Sequence, residues 1–223
     1  LLDELLVLFT DTPVDCEFAV TDENDTKILW LLQARPLILT DTPESINTQK
    51  DRLQKIYNKV VRGMGPHPFL MGKQTVYGVM PDWNPAELIG VRPKPLALSL
   101  YRELITDSTW AYQRHNYGYR NLRSFPLMPH FFGLPYIDVR LSFNSFIPAD
   151  LDDGLAGRLV DYYVEQLAKK PSLHDKVEFE IVFSCYTMDL PERLERLQEA
   201  GFSKSELETI ANSLRNLTNR IVH

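Results

Sequence analysis

Two short segments near the start of the chain carry side chains that can do chemistry. Asp15 and Glu17 lie two residues apart in a segment with strand character, and Gln33 and Arg35 lie two apart in the next. Alternate residues of a strand point to the same face, so each pair shares one side of its strand. Carboxylate and amide oxygens suit Mg²⁺, and a guanidinium can hold a phosphate through two parallel hydrogen bonds. This combination suits a metal-bound ATP.

The stretch between the two segments predicts how they pair. Residues 21–27 are polar and rich in turn formers, which favours an antiparallel hairpin that brings Glu17, Gln33 and Arg35 together. Regular alternation also predicts that Trp30 lies on the face opposite to Gln33. An edge hairpin whose surface Glu and Arg form an ordinary ion pair explains the same spacing, so spacing alone leaves both interpretations open.

The residues around these side chains form two recognisable segments. Residues 15–19 read Asp-Cys-Glu-Phe-Ala, and residues 31–36 read Leu-Leu-Gln-Ala-Arg-Pro. Together they resemble the end of the ATP-binding domain of phosphoenolpyruvate synthases, and pyruvate phosphate dikinases and rifampin phosphotransferases carry similar segments. The resemblance implies that Glu17 and Gln33 bind Mg²⁺. It also implies that Arg35 contacts the phosphates of ATP as a catalytic residue.

A later segment extends this resemblance. Residues 82–87 read Asp-Trp-Asn-Pro-Ala-Glu, and residues 93–96 read Pro-Lys-Pro-Leu. They are similar to the segment with which enzymes of the same superfamily enter the region between the ATP domain and a swivelling phosphohistidine domain. The remaining residues resemble a central region of phosphoenolpyruvate-synthase-like proteins, and no motif assigns a function to that region.

The order of predicted elements indicates an α+β fold, with small antiparallel sheets covered by several helices in two subdomains. A Gly/Pro cluster over residues 63–72 marks the boundary. We expect residues 1–62 to form the carboxyl-terminal end of an ATP-grasp domain and residues 75–223 to form a central α+β linker domain. The predicted helices cover residues 42–61, 96–114, 153–169 and 191–200, with a last one opened by Ser203, and predicted strands include residues 75–79 and 176–183.

One alternating segment gives a second candidate site. Residues 136–144 alternate apolar and polar, which predicts a strand with Asp138 and Arg140 on its polar face. With Tyr119 and Arg120 of a preceding turn, these residues could orient a polar ligand. A cross-strand ion pair is the alternative explanation for Asp138 and Arg140.

The region around residues 83–119 is rich in Trp and Tyr, which is typical of a hydrophobic core or of a ligand pocket. Two functions therefore remain open at this point. The first is a fragment of an ATP-dependent phosphotransferase that is inactive alone, since no Ser-His-Ala or Cys-His-Ala phosphohistidine sequence occurs in the chain. The second is a non-catalytic module that uses the aromatic region for ligand binding or scaffolding.

Composition limits the partners. The formal net charge of -6 and a pI near 5.4 argue against general affinity for nucleic acid or anionic membrane, so any phosphate binding must be local. The two cysteines, Cys16 and Cys185, fit reduced thiols and indicate the cytoplasm. The expected partners are a nucleotide, a small-molecule substrate and the phosphohistidine domain of the parent chain.

Overall fold

The computed structural model describes residues 2–10, 12–23, 25–37, 44–176, 180–181 and 185–223. Within these ranges, helices accompany two-stranded antiparallel sheets, which confirms the predicted α+β class. The chain divides into two compact units, Leu1–Asp51 and Arg52–His223. In the described part of the chain, no helix has the length and apolar character needed to cross a membrane.

The first unit is dominated by a β-hairpin. Its strands pair antiparallel along their whole length, which confirms the predicted hairpin. Leu5 is the one buried residue among the described residues of this unit, so both faces of the hairpin are largely exposed. The elements are α1 (Leu2–Leu8), β1 (Val14–Glu23) and β2 (Thr26–Pro36).

A β-bulge interrupts the hairpin in its middle. Glu17 of β1 pairs with Gln33, whereas the next residue of β1 pairs with Leu31. Leu32 is therefore an extra residue without an opposite partner, and it reverses the alternation of β2 from that point on.

The bulge corrects the prediction for Trp30. Trp30 lies opposite Ala19, and its indole Nε1 donates to Thr21 Oγ1 at 2.9 Å. Ala19 and Thr21 share the face of Glu17, because they alternate with it along β1. The prediction that Trp30 faces away from Gln33 is wrong, since it assumed a strand without a bulge.

Helix α2 (Ile46–Met64) runs across the division between the two units. Ser45 begins the helix, and its Oγ accepts a hydrogen bond from the backbone N–H of Thr48 at 3.1 Å. The predicted start at Thr42 and Pro43 lies outside the described residues. The helix ends at the predicted Gly/Pro cluster.

The second unit contains the remaining elements. Its sheets are β3 with β6 and β4 with β5, both antiparallel. Most of the predicted strand over residues 176–183 lies outside the described residues. The elements are β3 (Tyr77–Gly78), α3 (Pro85–Leu88), α4 (Pro95–Tyr101), a π-helical turn (Arg102–Thr106), α5 (Thr109–Asn116), β4 (His130–Phe131), β5 (Leu134–Pro135), β6 (Ile137–Asp138), α6 (Val139–Asn144), α7 (Asp153–Lys169), a 3₁₀ turn (Pro171–Leu173), α8 (Leu190–Glu199) and α9 (Lys204–Val222).

Two predictions for this unit have clear outcomes. The single helix predicted over residues 96–114 is divided into α4, the π-helical turn and α5. The capping box predicted at the start of α9 is confirmed: the Ser203 and Glu206 side chains each bond the other's backbone N–H.

The segment over residues 136–144 is not the predicted strand. Only β6 is extended, and the chain turns at once into α6. Asp138 Oδ1 caps this helix, accepting from the backbone N–H of Leu141 at 3.1 Å. The same oxygen accepts from Thr75 Oγ1 at 2.7 Å. A hydrogen bond from a residue 63 positions away therefore supports the start of α6. The alternation of apolar and polar residues gave no indication of this helix.

Two hydrophobic clusters hold the second unit together. The larger one joins α6, α7, α8 and α9 through buried aliphatic and aromatic side chains such as Phe143, Leu159 and Leu214. The smaller one surrounds Trp110 and includes Tyr101. The aromatic side chains of these two residues belong to the core, as one of the two interpretations of the aromatic region expects.

Candidate functional site

The hairpin brings Asp15, Glu17, Gln33 and Arg35 to one face. Asp15 lies opposite Arg35, and Glu17 lies opposite Gln33. Directly opposite residues of an antiparallel pair project to the same side, with Cβ atoms about 4.5–5.5 Å apart. The predicted proximity of Glu17, Gln33 and Arg35 is therefore present in the register.

Arg35 is held by its neighbour across the hairpin. Its Nε donates to Asp15 Oδ2 at 2.9 Å, and its Nη2 lies 2.8 Å from the same oxygen. The side chains of Arg35 and Asp15 are 62% and 42% exposed, so the pair stabilises the hairpin by no more than about 0.2–1 kcal/mol. Its main effect is to orient the guanidinium on the face that also carries Glu17.

The oxygen ligands on this face are too few to hold a bare metal ion. Glu17 and Gln33 supply a carboxylate and an amide oxygen, and the Asp15 carboxylate is paired with Arg35. Mg²⁺, in contrast, demands near-octahedral coordination. Among the described residues, no group of three or more His, Cys, Asp and Glu side chains could hold a metal. Mg²⁺ usually takes one or two carboxylates and completes its shell with water and phosphate oxygens. The donor set therefore fits a metal that arrives with a polyphosphate.

The second predicted site has a different geometry from the one expected. Arg140 is 2% exposed, and its Nη1 donates to the carbonyl of Gly65 at 2.7 Å. That carbonyl lies at the end of α2, where a cation offsets the negative pole of the helix. The prediction that Asp138 and Arg140 share a polar strand face is wrong. Asp138 caps α6, and Arg140 donates to a carbonyl at the end of α2.

Tyr119 and Arg120 contact the start of α7 and the loop before it. Arg120 Nη1 bonds Asp153 Oδ1 at 2.7 Å, and its Nη2 donates to the carbonyl of Leu151 at 2.6 Å. Tyr119 forms a β-bridge with Pro148, and burial raises the pKa of its hydroxyl to about 12. Arg120 therefore ties this turn to the start of α7, and Tyr119 ties it to the loop before that helix.

A largely buried ion pair, which the sequence did not indicate, joins Asp82 of the Asp-Trp-Asn-Pro-Ala-Glu segment to Arg114 of α5. Arg114 Nη2 contacts Asp82 Oδ1 at 2.7 Å, with the side chains 12% and 8% exposed. Ser142 Oγ donates to the other oxygen of Asp82 at 2.8 Å, and the Arg114 guanidinium stacks 3.8 Å from the Phe146 ring centre. Removing one partner of such a pair costs about 3–5 kcal/mol. The spacing of residues in the sequence does not indicate this pair, because Asp82 and Arg114 are 32 positions apart.

This ion pair anchors a strained turn. Asp82 and Trp83 have φ angles of 57° and 51°, a left-handed conformation that costs energy for residues other than glycine. Tyr101 donates its hydroxyl hydrogen to the Trp83 carbonyl. Burial, followed by the charge of Asp82, raises the pKa of Tyr101 to about 12. The pair and this hydrogen bond therefore fix the turn against α4 and α5.

No protein-family description, curated protein or solved structure matches this chain. The resemblance to phosphoenolpyruvate synthases and the domain identities drawn from it stay predictions. They rest on residues 15–19, 31–36, 82–87 and 93–96.

Proposed function

We propose that this chain contributes one wall of a Mg-ATP site to an ATP-dependent phosphotransferase that resembles phosphoenolpyruvate synthase. The observation that carries the proposal is the register of the hairpin. It sets Glu17 opposite Gln33 and places Arg35 on the same face, oriented by Asp15. These are the three positions to which the resemblance assigns metal and phosphate binding.

Each of these residues has a separate task in phosphoryl transfer. The Glu17 carboxylate and the Gln33 amide oxygen would bind Mg²⁺ that is shared with the ATP phosphates. Arg35 would turn from Asp15 toward the phosphates and offset the charge that develops on them. The bound Mg-ATP supplies the transferred phosphoryl group, and the protein supplies positioning and electrostatic stabilisation.

The remaining groups of the reaction come from elsewhere in the parent protein in this proposal. The donor set on the hairpin face needs further phosphate-binding cations, and the histidine that carries the phosphoryl group would belong to a phosphohistidine domain. The chain would therefore not turn over alone. Cys16 and Cys185 are free thiols, which supports a cytoplasmic setting for the parent protein.

Activity measurements on the complete parent protein test this proposal. We expect Glu17→Gln and Arg35→Ala each to lower ATP-dependent phosphorylation by about 10²–10³-fold, the usual loss when one preorganised electrostatic group is removed. Asp22 and Lys27 serve as controls, because they are an acidic and a basic residue that lie opposite each other near the turn of the same hairpin. Asp22→Asn and Lys27→Ala should leave the rate unchanged.

Folding and site effects can be separated in the same experiment. Circular dichroism should be the same for all four variants, since the changed side chains are exposed. Thermal unfolding should change little, because the Arg35–Asp15 pair contributes about 1 kcal/mol or less. Unchanged phosphorylation in Glu17→Gln and Arg35→Ala would overturn the assignment of the hairpin to the ATP site.

A further inference from the structure

Helix α2 presents an apolar face that nothing in the described structure buries completely. Ile56, Val60 and Met64 recur at helical spacing along it, yet none of its residues is buried. A helix in water takes most of its stability from packing an amphipathic face. The apolar face of α2 can therefore bury more surface than it does among the described residues.

A cavity lies under this part of the helix, entirely within the second unit. Its volume is about 330 Å³, at the lower end of the range of ligand pockets. It is lined by apolar side chains of α2 on one side and of the short strands on the other, including Ile56, Val60, Met64, Tyr77, Phe131 and Leu134. We call this cavity the α2 cleft.

Cations of α2 reach the strand side of the cleft. Lys59 Nζ donates to the His130 carbonyl at 2.6 Å and lies 5.3 Å from the ring centre of Phe131, which lines the cleft. The Arg52 guanidinium lies 5.3 Å from the ring centre of Phe132, the next residue. Both contacts place positive charge along β4 and the turn after it.

The charge of α2 contrasts with that of the whole protein. The helix carries one acidic residue, and the chain has a formal net charge of -6. The basic residues of the helix are Lys50, Arg52, Lys55, Lys59 and Arg62. The His130 side chain also senses positive charge: its pKa is lowered by burial and then by the charges of Lys59 and Arg102. Of these residues, Lys59 contacts Phe131 of the lining. Its positive charge at the rim of the α2 cleft therefore favours an anion.

We propose that the α2 cleft binds a small amphipathic carboxylate, with its aliphatic tail between Val60 and Leu134 and its carboxylate beside Lys59. The apolar lining suits the tail, and an ammonium has three donors, of which one is used by the His130 carbonyl. This site is independent of the Mg-ATP proposal, since it uses none of the hairpin residues.

Octanoate and 1-octanol, which share one tail and differ in charge, test the proposal on the 223-residue chain. Methyl signals of Ile56, Val60 and Leu134 in a ¹H–¹³C spectrum report where each ligand binds. We expect saturable shifts of these signals with octanoate and about tenfold weaker binding of octanol, the loss expected when a hydrogen bond to a charged group is removed. Lys59→Gln should weaken octanoate binding to the level of octanol, and Lys50→Gln should not.

Variants in which a larger side chain fills the cleft provide a second test of the proposal. Val60→Trp should abolish the saturable shifts, whereas Val61→Trp, the same change at an exposed neighbour on the helix, should retain them. Leu134→Trp fills the cleft from the strand side and repeats the test if Val60→Trp fails to fold. Absence of saturable shifts in the unaltered chain, equal affinity for octanol and octanoate, or undiminished binding to a folded filled-cleft variant would overturn the proposal.

Discussion

Two acid–base pairs of this protein, Arg35 with Asp15 and Arg114 with Asp82, differ in exposure, and this difference decides what each can do. The Arg35 and Asp15 side chains are 62% and 42% exposed, whereas Arg114 and Asp82 are 12% and 8% exposed. Breaking the first pair costs about 1 kcal/mol or less, so Arg35 can turn to a phosphate. Breaking the second leaves a charge buried without its partner. Only the exposed pair is suited to change partners during a reaction.

A single histidine gives a residue-scale prediction for pH dependence. Burial, followed by the charges of Lys59 and Arg102, lowers the pKa of His130 below its ordinary value of 6.5. Its Nδ1 also accepts a long hydrogen bond of 3.4 Å from the Gly133 N–H, which favours the neutral ring. The folded protein therefore binds this proton less readily than the unfolded chain does.

The sign of the effect follows from linkage. The stability contribution of neutral His130 is present above the ordinary histidine pKa and is lost as the pH falls through the lowered value. We expect the His130 ring signals to titrate below pH 6.5 in an NMR titration. We also expect His130→Gln to reduce the fall in melting temperature between about pH 7.5 and 5.5, a window around the ordinary value. A His130 pKa at or above that value would contradict this prediction.

At the scale of elements, the sequence predicts well where local chemistry decides the structure. The hairpin follows from two apolar strands around the polar, turn-rich residues 21–27, and the start of α9 follows from the Ser203 and Glu206 capping box. Both features depend on residues close together in the chain. They could therefore be recognised without knowledge of the tertiary fold.

Elements set by distant contacts could not be predicted in this way. The apolar residues at 137, 139, 141 and 143 match the period of a strand, yet the chain enters a helix after β6. The interaction between Thr75 and Asp138 spans 63 positions, so no local window contains it. The bulge at Leu32 is a similar case, because Leu32 looks like any other apolar strand residue. One extra residue was enough to move Trp30 to the other face.

The capping role of Asp138 gives an element-scale prediction. Asp138→Ala removes the acceptor for both Leu141 N–H and Thr75 Oγ1, and we expect a loss of about 2 kcal/mol in unfolding free energy. Urea denaturation followed by circular dichroism measures this change. Glu208→Ala, at an exposed position of α9, is the control and should stay within about 0.5 kcal/mol. An equally small effect of Asp138→Ala would mean that Asp138 is an ordinary surface residue.

At the scale of the whole molecule, charge decides where an anion can bind. A chain with a formal net charge of -6 does not attract ATP or carboxylates in general, so binding depends on local groups. The first unit offers Arg35 with two oxygen ligands nearby, and the second offers the basic rim of the α2 cleft. Each proposed site lies within one unit, so each can be tested without reference to the other.

Localised binding of a metal-nucleotide complex to the hairpin is the most direct test of the central claim. Mn²⁺ accepts the same oxygen ligands as Mg²⁺, and it broadens the NMR signals of nearby nuclei even when binding is weak. The Asp22 and Lys27 end of the hairpin lies about 17 Å along the strand from Glu17, so it provides an internal control. Glu17→Gln provides a second control.

We expect Mn-ATP to broaden the backbone signals of Glu17 and Arg35 and the side-chain amide signals of Gln33 selectively. The broadening should exceed that caused by Mn²⁺ without ATP, and it should be lost in Glu17→Gln. Signals at Asp22 and Lys27 should keep their widths. Equal broadening along the whole hairpin, no broadening at all, or broadening that persists in Glu17→Gln would contradict the assignment of this face to Mg-ATP.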